Sequence, residues 1–163
     1  MKIRKATKKD INGIHETFQY MLESEDKASS KSANFLMKLR KRKNNFELNS
    51  NKDLEKEIKK KNVLWLVAVI DNKIVGYACG CIKNNKNPFF YSYNIGFLEG
   101  ICVKKEYNGK GIAKELNKSM EIWFKKRKCI MSYLYVLSEN PAVEIYKKWD
   151  YKITDYKMFK ELK

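Results

Sequence analysis

The passage from Leu98 to Ala113 constrains this chain most. There an apolar run ends, two glycines fall within three residues, and an amphipathic pattern begins. Ile95 to Val103 reads as a strand and Glu106 to Gly111 as a turn. Ile112, Leu116, Met120, Trp123 and Phe124 then recur at helical spacing. Free N–H groups and the positive end of the helix dipole meet at such a helix start, so the turn can cradle a pyrophosphate. Gly109 and Gly111 let a ligand approach the backbone without Cβ atoms in the way, and Lys110 and Lys114 add positive charge. A plain tight turn uses the same residues.

The flanking segments set the context of that turn. Val63 to Ile70 reads as a buried strand, Asp71-Asn72 as a two-residue turn, and Lys73 to Ile82 as the returning strand of a hairpin. A loop with Pro88 and the aromatic patch Phe89, Phe90, Tyr91 and Tyr93 lead into the strand at Ile95. Upstream, Ile3 to Ala6 is a short strand. Thr7 and Asp10 have the spacing of a capping box, and Ile11, Ile14, Phe18, Met21 and Leu22 share a helical face beside His15. Ser29 to Lys61 reads as one or two charged helices, with stripes at Phe35, Leu36 and Leu39 and at Leu54 and Ile58, broken over Asn44 to Asn51. Downstream come a strand from Ile130 to Leu137, a short helix opened by Asn140-Pro141, and a last strand or tight strand pair over Tyr151 to Phe159. The order β, α, α, β, β, β, α, β, α, β predicts an α/β (α+β) fold: a mixed sheet with helices on its faces, in one domain over 1–163. A dinucleotide-binding fold places its glycine turn after the first strand. Here the turn comes two-thirds along, after a hairpin.

Composition narrows the partners. Among 163 residues 44% are hydrophobic, so the chain is not disordered, and the formal net charge is +16. That excess suits an anionic partner such as a phosphorylated cofactor or nucleic acid, although lysine on a solvated surface also accounts for it. The basic run Lys38 to Lys43 reads the same two ways. Cys79, Cys81, Cys102 and Cys129 form no C-x-x-C pair and His15 is the only histidine, so no metal site is expected. Reduced thiols, no leader and no apolar run of membrane length predict a cytoplasmic protein with no membrane partner.

The stretch Asn108 to Ala113 resembles motif A of the GNAT acetyltransferase family, Q/R-x-x-G-x-G/A, with Asn108, Gly111 and Ala113 at the matching positions. Asn140, Ala142, Tyr146 and Trp149-Asp150-Tyr151 resemble its motif B, N-x-x-A-x-x-x-Y-x-x-x-G-F, with Asp150 where the family has glycine. The opening Ile3 to Asp10, Gly76-Tyr77-Ala78 and the ending also look like the family, so the likeness spans nearly the whole chain. It implies the GNAT fold: a mostly antiparallel twisted sheet with a cofactor cleft between the fourth and fifth strands. It implies acetyl-CoA as co-substrate, held by backbone groups of Ile101, Cys102 and Val103 and by the turn of Asn108, Gly109, Lys110, Gly111, Ile112 and Ala113. Asn140 would contact the pantetheine arm and Tyr146 would lie near the thioester sulfur.

The same resemblance implies direct attack of an amine on the acetyl thioester, in a small molecule or a peptide. Tyrosine is protonated at neutral pH, so Tyr146 can supply the proton for the departing thiolate. A backbone N–H of Ile101 or Val103 can face the developing oxyanion. Glu99 is the candidate base, acting directly or through water; in a regular strand it shares a side with Ile101 and Val103, with Cys102 on the other. Tyr91 and Tyr93 either line the acceptor mouth or pack structurally. Two other classes remain: a basic nucleic-acid-binding module and a CoA-binding protein without turnover. The acceptor's identity stays open, with aminoacyl-tRNA a minor option, and the chain is a monomer or a homodimer.

Overall fold

A computed structural model describes residues 1–32, 36–42, 46–86, 88–89, 91–160 and 162. The chain divides into two compact units: Met1–Met21 with Asn44–Tyr135, and Leu22–Lys43 with Val136–Lys163.

The first unit is a five-stranded sheet in sequence order. It comprises β1 (Lys2–Lys5), β2 (Val63–Ile70), β3 (Lys73–Asn85), β4 (Tyr93–Val103) and β5 (Cys129–Tyr133). The first four strands pair antiparallel and β5 joins β4 in parallel, which makes the sheet mixed. The β2–β3 hairpin closes on Asp71 and Asn72 at φ 48° and 59°, the left-handed pair that a two-residue type I′ turn requires.

The two faces of this sheet are covered by different helices. On one face the first half of α1 (Ile11–Ser32) and α3 (Phe46–Glu57) bury Ile11, Ile14 and Leu54 against Val67, Tyr77 and Cys79. On the other, α4 (Ile112–Lys126) buries Ile112, Leu116, Met120 and Phe124. That helix lies close because glycines face it. A Cβ on Gly96 would stand 2.5 Å from the Phe124 ring, and one on Gly80 would stand 3.0 Å from it. His15 is buried in the first face, with its Nδ1 3.1 Å from Ser50 Oγ, so the sole histidine is a packing residue.

The helix entry after β1 is a 3-10 turn, Lys8–Asp10, that runs into α1. Asp10 Oδ2 accepts from both Thr7 N–H (2.7 Å) and Thr7 Oγ1 (2.8 Å), and Asp10 takes a two-pronged contact from Arg4 at 2.7 and 2.8 Å. The guanidinium, followed by the Thr7 donors, pulls the Asp10 carboxyl down to about 2 against the effect of burial.

The second unit holds the rest of α1, α2 (Leu36–Leu39) and α5 (Ala142–Lys148). Within it Arg40 bonds Glu25 and Asp26, and Arg42 bonds Asp26, tying the segment after α2 back to α1.

Three expectations are corrected. The helix α3 runs through most of the break expected at 44–51, because Leu54 and Ile58 pack on the sheet and hold the turns before them in register. Phe35 lies outside the described residues. The strand expected over 130–137 ends at Tyr133. Residues 151–160 form no strand: Tyr156 and Met158 are exposed, and a strand-like sequence becomes a strand only where a partner edge accepts its backbone groups. Among the described residues no helix is long and apolar enough to cross a membrane, and no group of three His, Cys, Asp or Glu can hold a metal ion.

Candidate functional site

Strand β4 outruns its neighbour. Among the described residues it meets β5 only from Asn94 to Phe97, where Phe97 pairs with Tyr133, and from 98 to 103 its strand partner is β3 alone. Ile101, Cys102 and Val103 therefore line an edge of β4 that β5 does not take up. A strand edge of this kind presents alternating N–H and C=O groups to an extended ligand.

The chain turns directly after that edge. Lys104 N–H donates to the Val75 carbonyl at 2.8 Å, residues Lys105–Tyr107 make a 3-10 turn, and α4 starts at Ile112. Gly109 and Gly111 have φ of 76° and 75°, which L side chains rarely adopt, and a Cβ on either would meet nothing within 4 Å. The turn is thus open on its outer side, while Ile112 anchors the helix start in the core. The N–H groups of the first helical turn have no carbonyl ahead of them. This matches the demands of a diphosphate, so the residues present fit the pyrophosphate of CoA. The nearby lysines differ: Lys104 pairs with Glu16 at 2.8 Å, Lys110 lies over the Tyr107 ring at 4.9 Å, and Lys114 is exposed.

Glu99 is placed by a bulge. Cys79 pairs with Gly100 and Gly80 with Leu98, so Glu99 is the extra residue of β4. The bulge reverses the facing expected from a regular strand. Ile101 pairs with Ala78 and Val103 with Gly76, on the α4 face. Glu99 instead lies with Cys81, which donates to its Oε1 at 3.4 Å on the opposite face. Cys102 also faces that way, packed on the Tyr77 and Cys79 cluster, so it shares a side with Glu99. Burial, then the Glu99 carboxylate, raises the Cys81 thiol to about 11 and keeps it a neutral donor. Phe97, paired with Cys81, stacks on Tyr133 with centroids 4.7 Å apart, and Tyr135 stands edge-on to both at 5.6 Å. Cys81, Lys83, Phe97, Tyr133 and Tyr135 are thus neighbours of the Glu99 region that sequence reasoning missed. Their meeting depends on the register of three strands. Tyr91, for which the sequence leaves both lining the acceptor mouth and structural packing open, is 95% exposed, and Tyr93 is half-buried at the start of β4.

Asn140 and Tyr146 belong to the second unit. Asn140 Oδ1 accepts from Ala142 N–H at 2.9 Å, which opens α5 and leaves the Nδ2 end to donate elsewhere. Tyr146 is half-buried and stands edge-on to Trp149 (5.7 Å) and Tyr151 (5.8 Å). The helix closes with Tyr151 N–H donating to Tyr146 O and Asp150 N–H to Lys147 O, around Asp150 at φ 65°. This Schellman arrangement explains the motif position: it calls for a left-handed residue, which glycine supplies most easily and aspartate tolerates.

A sequence profile described as the acetyltransferase (GNAT) family matches residues 27–151. An acetyltransferase of Pectobacterium atrosepticum is 28% identical over 104 residues, which is 63% of this chain and 67% of that protein. Among solved structures, a tetramutant of the BH1408 protein of Bacillus halodurans superposes with a TM-score of 0.84 at 20% identity, covering 99% of this chain and 100% of that one. An aminoglycoside 6'-N-acetyltransferase of Acinetobacter haemolyticus has a TM-score of 0.74 at 17% identity, covering 100% and 99%. An aminoglycoside N-acetyltransferase solved in complex with CoA has a TM-score of 0.72 at 16% identity, covering 99% of each chain.

Proposed function

The chain belongs to the acetyltransferase (GNAT) family, and on that premise we propose that it carries an acetyl group from acetyl-CoA to a primary amine of a small molecule or peptide. The observation that carries this reading is the parting of β4 from β5 after Phe97, directly ahead of a glycine turn open at the start of α4. An extended arm ending in a diphosphate needs such a strand edge followed by such a helix start. The CoA complex of a structural neighbour supports the same ligand. We take residues 1–163 as one catalytic domain, since the family match runs through both compact units.

In this reading Ile101, Cys102 and Val103 bond the pantetheine amides through backbone groups. Asn108, Gly109, Lys110, Gly111, Ile112 and Ala113 surround the pyrophosphate. The Nδ2 end of Asn140 donates to the arm. Acetyl-CoA, when bound, supplies an acetyl group activated as a thioester. The acceptor nitrogen attacks the acetyl carbon, so a C–N bond forms as the C–S bond breaks. Glu99 takes the nitrogen's proton, directly or through one water. The Tyr146 hydroxyl gives its proton to the leaving sulfur and regains one from solvent. The N–H of Ile101 or Val103 faces the oxygen on which charge builds.

The test is thiol release from acetyl-CoA in the presence of candidate acceptors: polyamines, aminoglycosides, amino acids, peptides and aminoacyl-tRNA. The expected result is amine-dependent release with formation of the acetylated amine. Tight acetyl-CoA binding without release by any acceptor would leave a CoA-binding protein, and no binding would remove the reading.

A further inference from the structure

Resting on the acetyltransferase reading, the geometry points to an acceptor of one chemical class: a monoamine joined by a short chain to a flat apolar group, rather than a polycation.

Charge comes first. Glu99 is exposed at the bulge, and Glu57 is paired with Lys60. Lys83 stands on the same face, with its Nζ 5.8 Å from the Phe97 centroid and within the field of Glu99. Glu99 can satisfy one incoming ammonium. Every further positive charge on a ligand meets the field of a chain carrying +16. Repulsion grows with each charge on the ligand, while the attraction of Glu99 is spent on the first.

Apolar surface comes second. Phe97 is committed to Tyr133 on one side and to Lys83. Tyr133 is half-buried in the same stack. Tyr135 stands edge-on to both and is 80% exposed, so its ring is the available face of the cluster. A flat apolar group laid on Tyr135 gains a stacked contact of the kind aromatic pairs make, a factor of about 3–10 in affinity. The same ligand can set its ammonium toward Glu99 and its ring toward Tyr135. A polyamine uses only the first contact, and an aminoglycoside brings surplus charge.

Calorimetry on the full chain saturated with CoA tests this without requiring turnover. The probes are 2-phenylethylamine, n-butylamine and spermidine at one ionic strength. The expected result is that 2-phenylethylamine binds about 3–10-fold more tightly than n-butylamine and more tightly than spermidine. Tyr135→Ala should bring 2-phenylethylamine to the n-butylamine level and leave spermidine unchanged, while Tyr135→Phe keeps the preference. Because Tyr135 is exposed, both variants should melt with the parent. Spermidine binding most tightly, equal binding of the two monoamines, a preference that survives Tyr135→Ala, or no binding of any amine would overturn the proposal. Aromatic-selective binding with no acetylation of the bound amine would sustain this subsite and count against the transfer reaction, so the two failures are distinguishable.

Discussion

Replacing Gly111 by valine separates two consequences of one position. Gly111 lies at φ 75° immediately before α4, where an L residue costs roughly 1–2 kcal/mol in the left-handed region, more for a β-branched one. The added Cβ meets no protein atom within 4 Å outside its chain neighbours, so no clash at Cβ adds to that loss. Stability should therefore fall by about 1–2 kcal/mol, read from urea unfolding. Ligand affinity is a separate matter, because that open space is where the proposed pyrophosphate sits. Losing one charge-assisted N–H contact there is worth about 1.5–3 kcal/mol, or about 10–150-fold in Kd. Calorimetric titration with acetyl-CoA on folded parent and variant reads this directly. Asn72→Ala supplies the control, since it places alanine at another left-handed position (φ 59°) far along the chain from the turn. The control should lose stability and keep its acetyl-CoA affinity. Equal affinities of Gly111→Val and parent would refute the phosphate cradle, whatever happened to stability.

Tyr146→Phe keeps the edge-on ring contacts to Trp149 and Tyr151 and removes only the hydroxyl, so turnover should fall roughly 10²–10⁴-fold with acetyl-CoA affinity nearly unchanged. Full turnover in steady-state assays would make Tyr146 a packing residue. Glu99→Gln should lower kcat/KM most at the acidic end of the pH profile, where acceptor amines arrive protonated; a profile unchanged in height and shape would remove Glu99 from the chemistry. The Arg4–Asp10 pair should make stability fall in acid. Asp10 is drawn from 3.8 to about 2, so its contribution is complete above about pH 4 and is lost as pH falls through 2. At 1.36 kcal/mol per pH unit this is at most about 2.4 kcal/mol, and roughly 1 kcal/mol once the partly exposed Arg4 is allowed for. Asp10→Asn should lose that amount at pH 7 in urea unfolding and converge on the parent as pH falls below 2.

Local chemistry explains which features were legible in the sequence. Asp71 and Asn72 tolerate positive φ whatever surrounds them, so the hairpin could be read from two residues. Thr7 and Asp10 are three residues apart and bond each other without help from the rest of the fold. The 3.6-residue period of Ile112, Leu116, Met120 and Phe124 selects one buried face, and Gly109 and Gly111 are the residues a left-handed turn calls for. These features determined the β2–β3 hairpin, the entry into α1, helix α4 and the position of the glycine turn.

What the sequence could not decide depended on partners distant along the chain. The facing of Glu99 follows from how β4 is registered against β3, and one extra residue in β4, opposite the Cys79–Gly80 step of β3, reverses it. A period-two pattern predicts a regular strand and has no means of signalling a bulge. Phe97, Tyr133 and Tyr135 come together only because β4 and β5 lie parallel and in contact as far as Phe97. Tyr151 to Phe159 read as a strand or a tight strand pair and form no strand, since apolar residue types describe side chains while a strand needs backbone partners. Propensity and capping act within a few residues and are written in the sequence. Register, bulges and the meeting of side chains from separate strands are settled by which long-range pairings bury the most surface and satisfy the most backbone groups, and only the tertiary structure decides those.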